Sequence, residues 1–325
     1  MKNKLILAGL FAAALLFALP QTSRAQQPYV TDDEVKVNTY KKFVDNRVPN
    51  PVAAYQAARD YMARYGKEDD QYTKYLKAWI AAYEADERAA RLAAEKADRE
   101  QQLLGSFTTK DYAKSYGLAK QVLTDNPENL RVLIALGYGG VAASTEGHTE
   151  AYNADAAKYA AKAIQLIGSG KTPDTWAPFK GKDDVLGSLH YALGFYALKT
   201  NPEVAIQSFI TAAQVDPDRR NAPSTYFYLA AAYQTGPYKK LSEDYSKRFA
   251  NQPESTESKT ALDSINKIVD KMIDAYARAV ALAGTSPAKA QWMTQLTNFW
   301  KFRHENSDAG LNEYIAGVLK TPLPQ

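Results

Sequence analysis

Several stretches of this 325-residue chain hold the residue types that chemistry uses. Gly168-Ser169-Gly170-Lys171-Thr172 has the form of the end of a phosphate-binding loop. Such a loop cradles phosphates on backbone N–H groups, and it needs a further glycine at 165, a strand before it and a helix carrying the lysine. Gln165 stands at the first place, helical sequence precedes and Pro173 follows, so the stretch reads as a glycine helix end running into a loop. Residues 131–142 (RVLIALGYGGVA) imitate the strand and Gly-x-Gly-x-x-Ala turn of a dinucleotide-binding unit, with Asp155 downstream at the ribose position. No second strand-rich unit exists to complete a parallel sheet. His148, His190 and His304 lie far apart without metal-pair spacing, and no Gly-x-Ser-x-Gly is present to activate a serine. The acid pairs Asp32-Asp33, Asp69-Asp70 and Asp183-Asp184 suit the positive N-terminal ends of helices. The pattern is that of a non-catalytic protein with no cofactor and no metal.

The elements that would position any site begin after an export signal. Lys2 and Lys4, an apolar run from Leu5 to Leu19, then Pro20 and Ser23-Arg24-Ala25 follow the charged, apolar, small-residue order of a secretory signal peptide over residues 1–25. The run is shorter than the roughly 20 residues of a membrane span. Cleavage near Ala25 leaves an exported, periplasmic or extracellular chain. It would carry 37 basic residues, the total of 40 less Lys2, Lys4 and Arg24, against 36 acidic, which gives nothing to attract nucleic acid. There is no cysteine, so no disulfide and no thiolate chemistry.

Residues 26–50 read as a polar leader with a single helical turn near Val35–Val44. Residues 51–125 hold the N-terminal helices. The first runs from Val52 to Tyr65. A long one runs from Tyr72 to about Gln102 and ends at Leu104-Gly105-Ser106; a third covers Asp111–Leu123. The second half of the long helix is alanine-rich and charged, with Glu84–Arg88, Glu87–Arg91 and Glu95–Arg99 at the spacing of in-helix ion pairs, and it reads as a solvated extension. Leu130–Ala143 and Asn153–Ile167 make the next pair. A long loop over 168–184 should tuck Trp176, Pro178 and Phe179 onto the helices. Three glycines inside 130–143 each cost helix propensity, about 1 kcal/mol, so that helix must be close-packed or frayed. Residues 261–282 carry one unbroken apolar stripe and no hinge, which predicts a single long helix.

Residues 189–217 (LHYALGFYALKTNPEVAIQSFITAAQVDP) read as two short helices in a hairpin, broken at Asn201-Pro202-Glu203. Leu193-Gly194, Ala205, Phe209 and Pro217 match the pattern of the tetratricopeptide repeat, with His190 where that family has Trp and Ala197 where it has Tyr. Pro217, Pro253, Pro287 and Pro322 recur at close to the family period, and Phe209, Tyr245, Ala279 and Tyr314 each stand eight residues before one of them. Leu136-Gly137 and Leu229-Ala230 fall at matching first-helix places, the latter leading to Tyr233. The chain thus resembles the tetratricopeptide family. The resemblance implies an all-α, tetratricopeptide-like helical-hairpin solenoid over residues 126–325. It also implies a scaffold or adaptor that binds a protein or peptide along the first helices of its hairpins. The residues two places from each Leu-Gly position face that groove: Tyr138, Tyr191, Phe195 and Phe227, with Arg131 and Lys199 near the same face to meet a carboxylate. The alternative is that these rings cover the 168–184 loop or a neighbouring helix. Other readings are a periplasmic glycan-binding module, for which the 22 Tyr and 4 Trp supply stacking faces, and an enzyme on a helical scaffold.

The signal reading has a direct test. Leu10→Arg with Leu15→Arg should leave the protein in the cytoplasm at full precursor length on an immunoblot of fractionated cells. Normal cleavage near Ala25 in that variant would contradict it.

Overall fold

The computed structural model describes residues 31–323, which places the signal segment 1–25 outside the described residues. The described residues are helical throughout their regular structure, with no strand among them. The chain divides between Arg91 and Leu92 into two compact units.

In the first unit, helix α1 (Asp32–Asn46) and helix α2 (Pro51–Tyr65) pack with the beginning of helix α3 (Gln71–Thr108). A single turn is expected near 35–44, and a complete helix forms instead. Thr31 and Glu34 close a reciprocal capping box over its acidic first turn, which satisfies two N–H groups that otherwise have no partner. Phe43 is fully buried, with the edges of Tyr75 and Trp79 against it at 6.0 and 4.9 Å. The Lys36 ammonium bonds Asp70 at 2.8 Å and also bonds Glu68, tying α1 to the loop before α3. This contact holds the Asp70 carboxyl well below the usual carboxylate range, so its contribution is complete above the unfolded carboxylate's pKa and is lost only as pH falls through the depressed one. Asn50 caps α2 and Pro51 occupies its first position.

Helix α3 runs past Gly105 to Thr108, and the chain turns at the left-handed Lys110 (φ 58°). Residues 85–98 are exposed, as a solvated helix requires. Two of the expected in-helix pairs have other partners. Glu84 accepts from the Tyr55 hydroxyl at 2.7 Å and lies 3.6 Å from Arg59, while Arg99 bonds Asp125 at 2.9 Å.

The second unit adds α4 (Tyr112–Asp125), α5 (Leu130–Thr145), α6 (Asn153–Gly168), α7 (Lys182–Ala197) and α8 (Pro202–Val215). Beyond them come the one-turn α9 (Pro217–Arg220), α10 (Pro223–Tyr233), α11 (Lys239–Phe249), α12 (Thr256–Leu282), α13 (Lys289–Arg303) and α14 (Leu311–Gly317). Asp111, Asn129, Asn201, Asp216 and Ser255 cap the N-termini of α4, α5, α8, α9 and α12 with side-chain oxygens. Helix α5 is close-packed rather than frayed. A Cβ added to Gly137 would sit 2.7 Å from the Ala160 Cα, one on Gly140 would sit 2.7 Å from the Ala156 Cβ, and one on Gly139 would strike the Phe107 ring. Partner numbers fall as residue numbers rise, so α5 and α6 are antiparallel. The same holds in α7 and α8, where Gly187 meets Asp216 and Gly194 meets Phe209. Phe209 is fully buried in that contact, which contributes about 1.5–3 kcal/mol.

The repeat pattern places a hairpin around Leu229–Tyr233 and Tyr245. The chain instead runs helical from Pro223 to Phe249 without reversing. A five-residue π turn, Gln234–Tyr238, joins α10 to α11 and holds Pro237 inside the helix. A widened turn accommodates a ring that lacks an N–H and crowds the preceding carbonyls. The partner of α10 is therefore α12, a single helix as expected: Tyr226 faces Arg278 and Tyr233 faces Lys271. Helix α13 starts three residues after Ser286, and α14 starts after Gly310 (φ 80°). Ser286 and Ser307 each bond the N–H two residues on, which makes a turn rather than a helix cap. In the loop between α6 and α7, Trp176 and Phe179 pack against the apolar side chains of α5, α6 and α7.

Arg278 is a buried cation, 2% exposed. It bonds the Asp274 carboxylate at 2.9 Å, the Thr321 hydroxyl at 2.7 Å and the Pro322 carbonyl at 2.6 Å, which ties the C-terminal segment to α12. Arg278→Met should leave those acceptors unpaired and cost about 3 kcal/mol. Urea unfolding checks the loss, and faster amide exchange at Val318–Leu323 checks its location. Unchanged protection there would contradict the tether.

Candidate binding face

The Leu-Gly positions fix the face that carries the rings. Gly137 on α5 and Gly194 on α7 lie in the packed interfaces of their hairpins, against Ala160 and Phe209, whereas Leu136 packs with Leu103, Ala119 and Val122, and Leu193 is half-buried against the α5 and α6 side chains. Residues two places away are rotated by about 200° on a helix; Tyr138, Phe195 and Phe227 are half-buried, whereas Tyr191 turns into the hairpin and packs edge-on against Phe209 of α8 at 5.6 Å. Phe179, from the loop, lies edge-on to Tyr138 at 5.8 Å. Tyr191 packs 6.1 Å from Tyr228, which lies 5.5 Å from Phe195 and 5.3 Å from Phe227. Phe227 stacks on Trp292 at 5.2 Å. The row therefore crosses the 168–184 loop, α5, α7, α10 and α13.

Members of the row differ in access. Tyr138, Phe179, Phe195, Phe227 and Tyr228 are half-buried, whereas Tyr191 is 6% exposed and supports the face from beneath. Burial pushes the Tyr191 hydroxyl up to about 12, so it stays neutral at physiological pH. Tyr138 also covers the loop through Phe179, so part of the row serves packing. Lys199 lies outside the row: exposed in the turn after α7, it bonds both oxygens of Glu150 at 2.7 and 3.0 Å. Arg131 is exposed on the first turn of α5.

The cation in the row is Arg219, on α9. Its guanidinium carbon lies 4.6 Å from the Tyr191 ring centre and 5.3 Å from that of Tyr138. One terminal nitrogen donates to the Tyr138 hydroxyl at 3.0 Å and to Ser188 Oγ at 2.9 Å. Buried Asp216 holds α9 in place by accepting from the backbone of Asp218 and Arg219, and its own Cβ occupies the space beside Gly187. In the sequence Asp216-Pro217 reads as the end of a helix, which gives Arg219 no place on the face. The signal was present in Asp216 as a cap with Pro217 at the first helical position, the signature of a further turn. The two-residue offset from Leu229 selects Phe227 and not its neighbour Tyr228, which joins the row through its ring contacts.

The stretches with chemical potential have structural partners. Residues 131–142 are helical, not a strand and turn. Lys171 is paired with Glu128, and Gly170 (φ 90°) forms a left-handed turn after α6. His148 sits in a left-handed turn, and His304 stacks on Trp300 at 4.0 Å where α13 ends. His190 is half-buried, and burial pushes its imidazole below the ordinary value. Asp32-Asp33 and Asp183-Asp184 lie in the first turns of α1 and α7, and Asp70 accepts from the Thr73 N–H at the start of α3. Among the described residues no group of three potential metal ligands comes together, and no helix is long and apolar enough to cross a membrane. No protein-family model matches the chain, and no curated protein matches it.

Proposed function

We propose that the chain is an exported scaffold whose second unit is a tetratricopeptide-like stack of helix hairpins that binds a protein or peptide segment along the aromatic row. The observation that carries the proposal is the source of the rings. Tyr138 of α5, Phe195 of α7 and Phe227 and Tyr228 of α10 come from the first helix of successive packed pairs and stay half-buried, with Phe195 and Phe227 both in ring contact with Tyr228. Two features support the repeat architecture. The Leu-Gly pairs on which the resemblance rests lie at close contacts of antiparallel pairs, Gly137 on Ala160 and Gly194 on Phe209. Each pair also packs on the next along the chain, α5 and α6 on α7, then α8 on α10. Large rings with few rotatable bonds supply contact area at low entropic cost, which suits recognition of an extended segment. The π turn and the single helix α12 depart from a regular repeat, so the stack is least regular toward its C-terminal end.

Panning residues 26–325 against a displayed random-peptide library, beside an array of cell-wall glycans, tests this reading. Peptides should be retained, and Phe195→Ala should lower retention about tenfold or more, the loss of one anchor ring, with an unchanged helical circular dichroism signal. Retention of glycans alone, or of neither class, would overturn it.

A further inference from the structure

The row of rings holds a cation whose hydrogen-bonding capacity is only partly used. A guanidinium offers five N–H donors in a planar fork. In Arg219 one terminal nitrogen makes both side-chain bonds, to Tyr138 and Ser188, while Nε and the other terminal nitrogen donate to no group among the described residues. No carboxylate among those residues forms an ion pair with Arg219. The nearest acids have other partners. Asp218 pairs with Lys180, Asp184 accepts from the Lys180 N–H and from Ser188, and Asp216 caps α9. The rings of Tyr191 and Tyr138, at 4.6 and 5.3 Å from the guanidinium carbon, and the bonds to Tyr138 and Ser188 confine the group, so little side-chain freedom remains to be lost when it binds. The Tyr138 hydroxyl accepts from Arg219, which leaves its own proton to donate.

We propose that Arg219 is the specificity-determining residue of the aromatic face, and that it receives a side-chain carboxylate, Asp or Glu, of the bound segment. A planar fork with two nitrogens to spare matches the two oxygens of a carboxylate. The surroundings select the side-chain source over a chain terminus. Rings continue on both sides of Arg219, Phe179 and Tyr138 on one and Tyr228, Phe195 and Phe227 on the other, so the ligand chain extends both ways from the acid. The preferred segment is an acidic residue flanked by aromatic or large aliphatic side chains. This inference rests on the peptide-binding reading above and adds to it the chemistry of one position.

The test uses the full chain 26–325 and peptides chosen from a random dodecapeptide library. Each is synthesised as selected, with its acid changed to the amide (Glu→Gln or Asp→Asn), and with an amidated C-terminus. The expected result is enrichment of an internal acid beside aromatic or aliphatic residues. The acid-to-amide change should weaken binding about tenfold or more, and C-terminal amidation should have no effect. Arg219→Gln should weaken the acidic peptide by the same factor and make the acid-to-amide change neutral. Because the ligand-side change leaves the protein intact, the result does not depend on how well the Arg219 variant folds. Loss on C-terminal amidation alone would overturn the side-chain assignment. Peptides that bind with no dependence on an acid would overturn the carboxylate assignment and leave the peptide-binding reading in place. Retention of no peptide would overturn both.

Discussion

The second unit depends on how closely helices can approach α5. Gly137, Gly139 and Gly140 face three different neighbours, and in each direction the missing side chain is replaced by someone else's atoms: the Ala160 backbone, the Phe107 ring, and the Tyr196 hydroxyl with the Ala156 methyl. Three glycines weaken a helix by about 1 kcal/mol each relative to alanine. The interior offsets that through contact on several sides at once. Tyrosines complete the arrangement. Tyr116 donates to the Leu136 carbonyl at 2.6 Å, and Tyr196 donates to the Gly137 carbonyl at 2.8 Å, so one turn of α5 is held by hydrogen bonds from both α4 and α7 as well as by packing. Burial pushes both hydroxyls well above the usual tyrosine range, which keeps them protonated as donors.

The position of the aromatic face follows from that spacing. With α5 packed against α6 and α7, the rings of Tyr138 and Tyr191 both come within reach of one cation, the Arg219 guanidinium. The same principle recurs at Gly187, where a Cβ would overlap Asp216 and displace the cap that orients α9. Small residues inside the hairpins thus set the separation of large ones outside them. A change inside the hairpins, at Gly137 or Gly187, would move the rings that the proposed ligand touches.

The sequence made some of this legible and hid the rest for identifiable reasons. The cap at Asn201, the unbroken stripe of α12 and the packing of Trp176 and Phe179 follow from local patterns. Helix α1 was obscured because residues 26–50 are polar on average, and the single buried Phe43 and the Thr31–Glu34 box carry the information. The run through Gln234–Tyr238 was obscured because Gly236-Pro237 normally ends a helix. Here the glycine is required by Pro202, whose Cβ lies 2.5 Å from where a side chain would begin, and the proline is absorbed by the π turn. The face was half legible. The Leu-Gly offset selects Tyr138, Phe195 and Phe227, but burial of Tyr191 and the approach of Arg219 are tertiary facts. Lys199 is engaged by Glu150, a residue 49 positions away that no local spacing points to.

The most direct test of this account compares two glycine-to-alanine variants by equilibrium urea unfolding. Gly117 lies inside α4 with nothing near its Cβ position, whereas a Cβ on Gly137 would lie 2.7 Å from the Ala160 backbone. Gly117→Ala should stabilise the protein by up to about 1 kcal/mol through helix propensity. Gly137→Ala gains the same propensity and should nevertheless destabilise by about 1–3 kcal/mol, since overpacking against a backbone has no side chain to displace. Equal stabilisation by both would mean that close approach at α5 is not what the packing depends on.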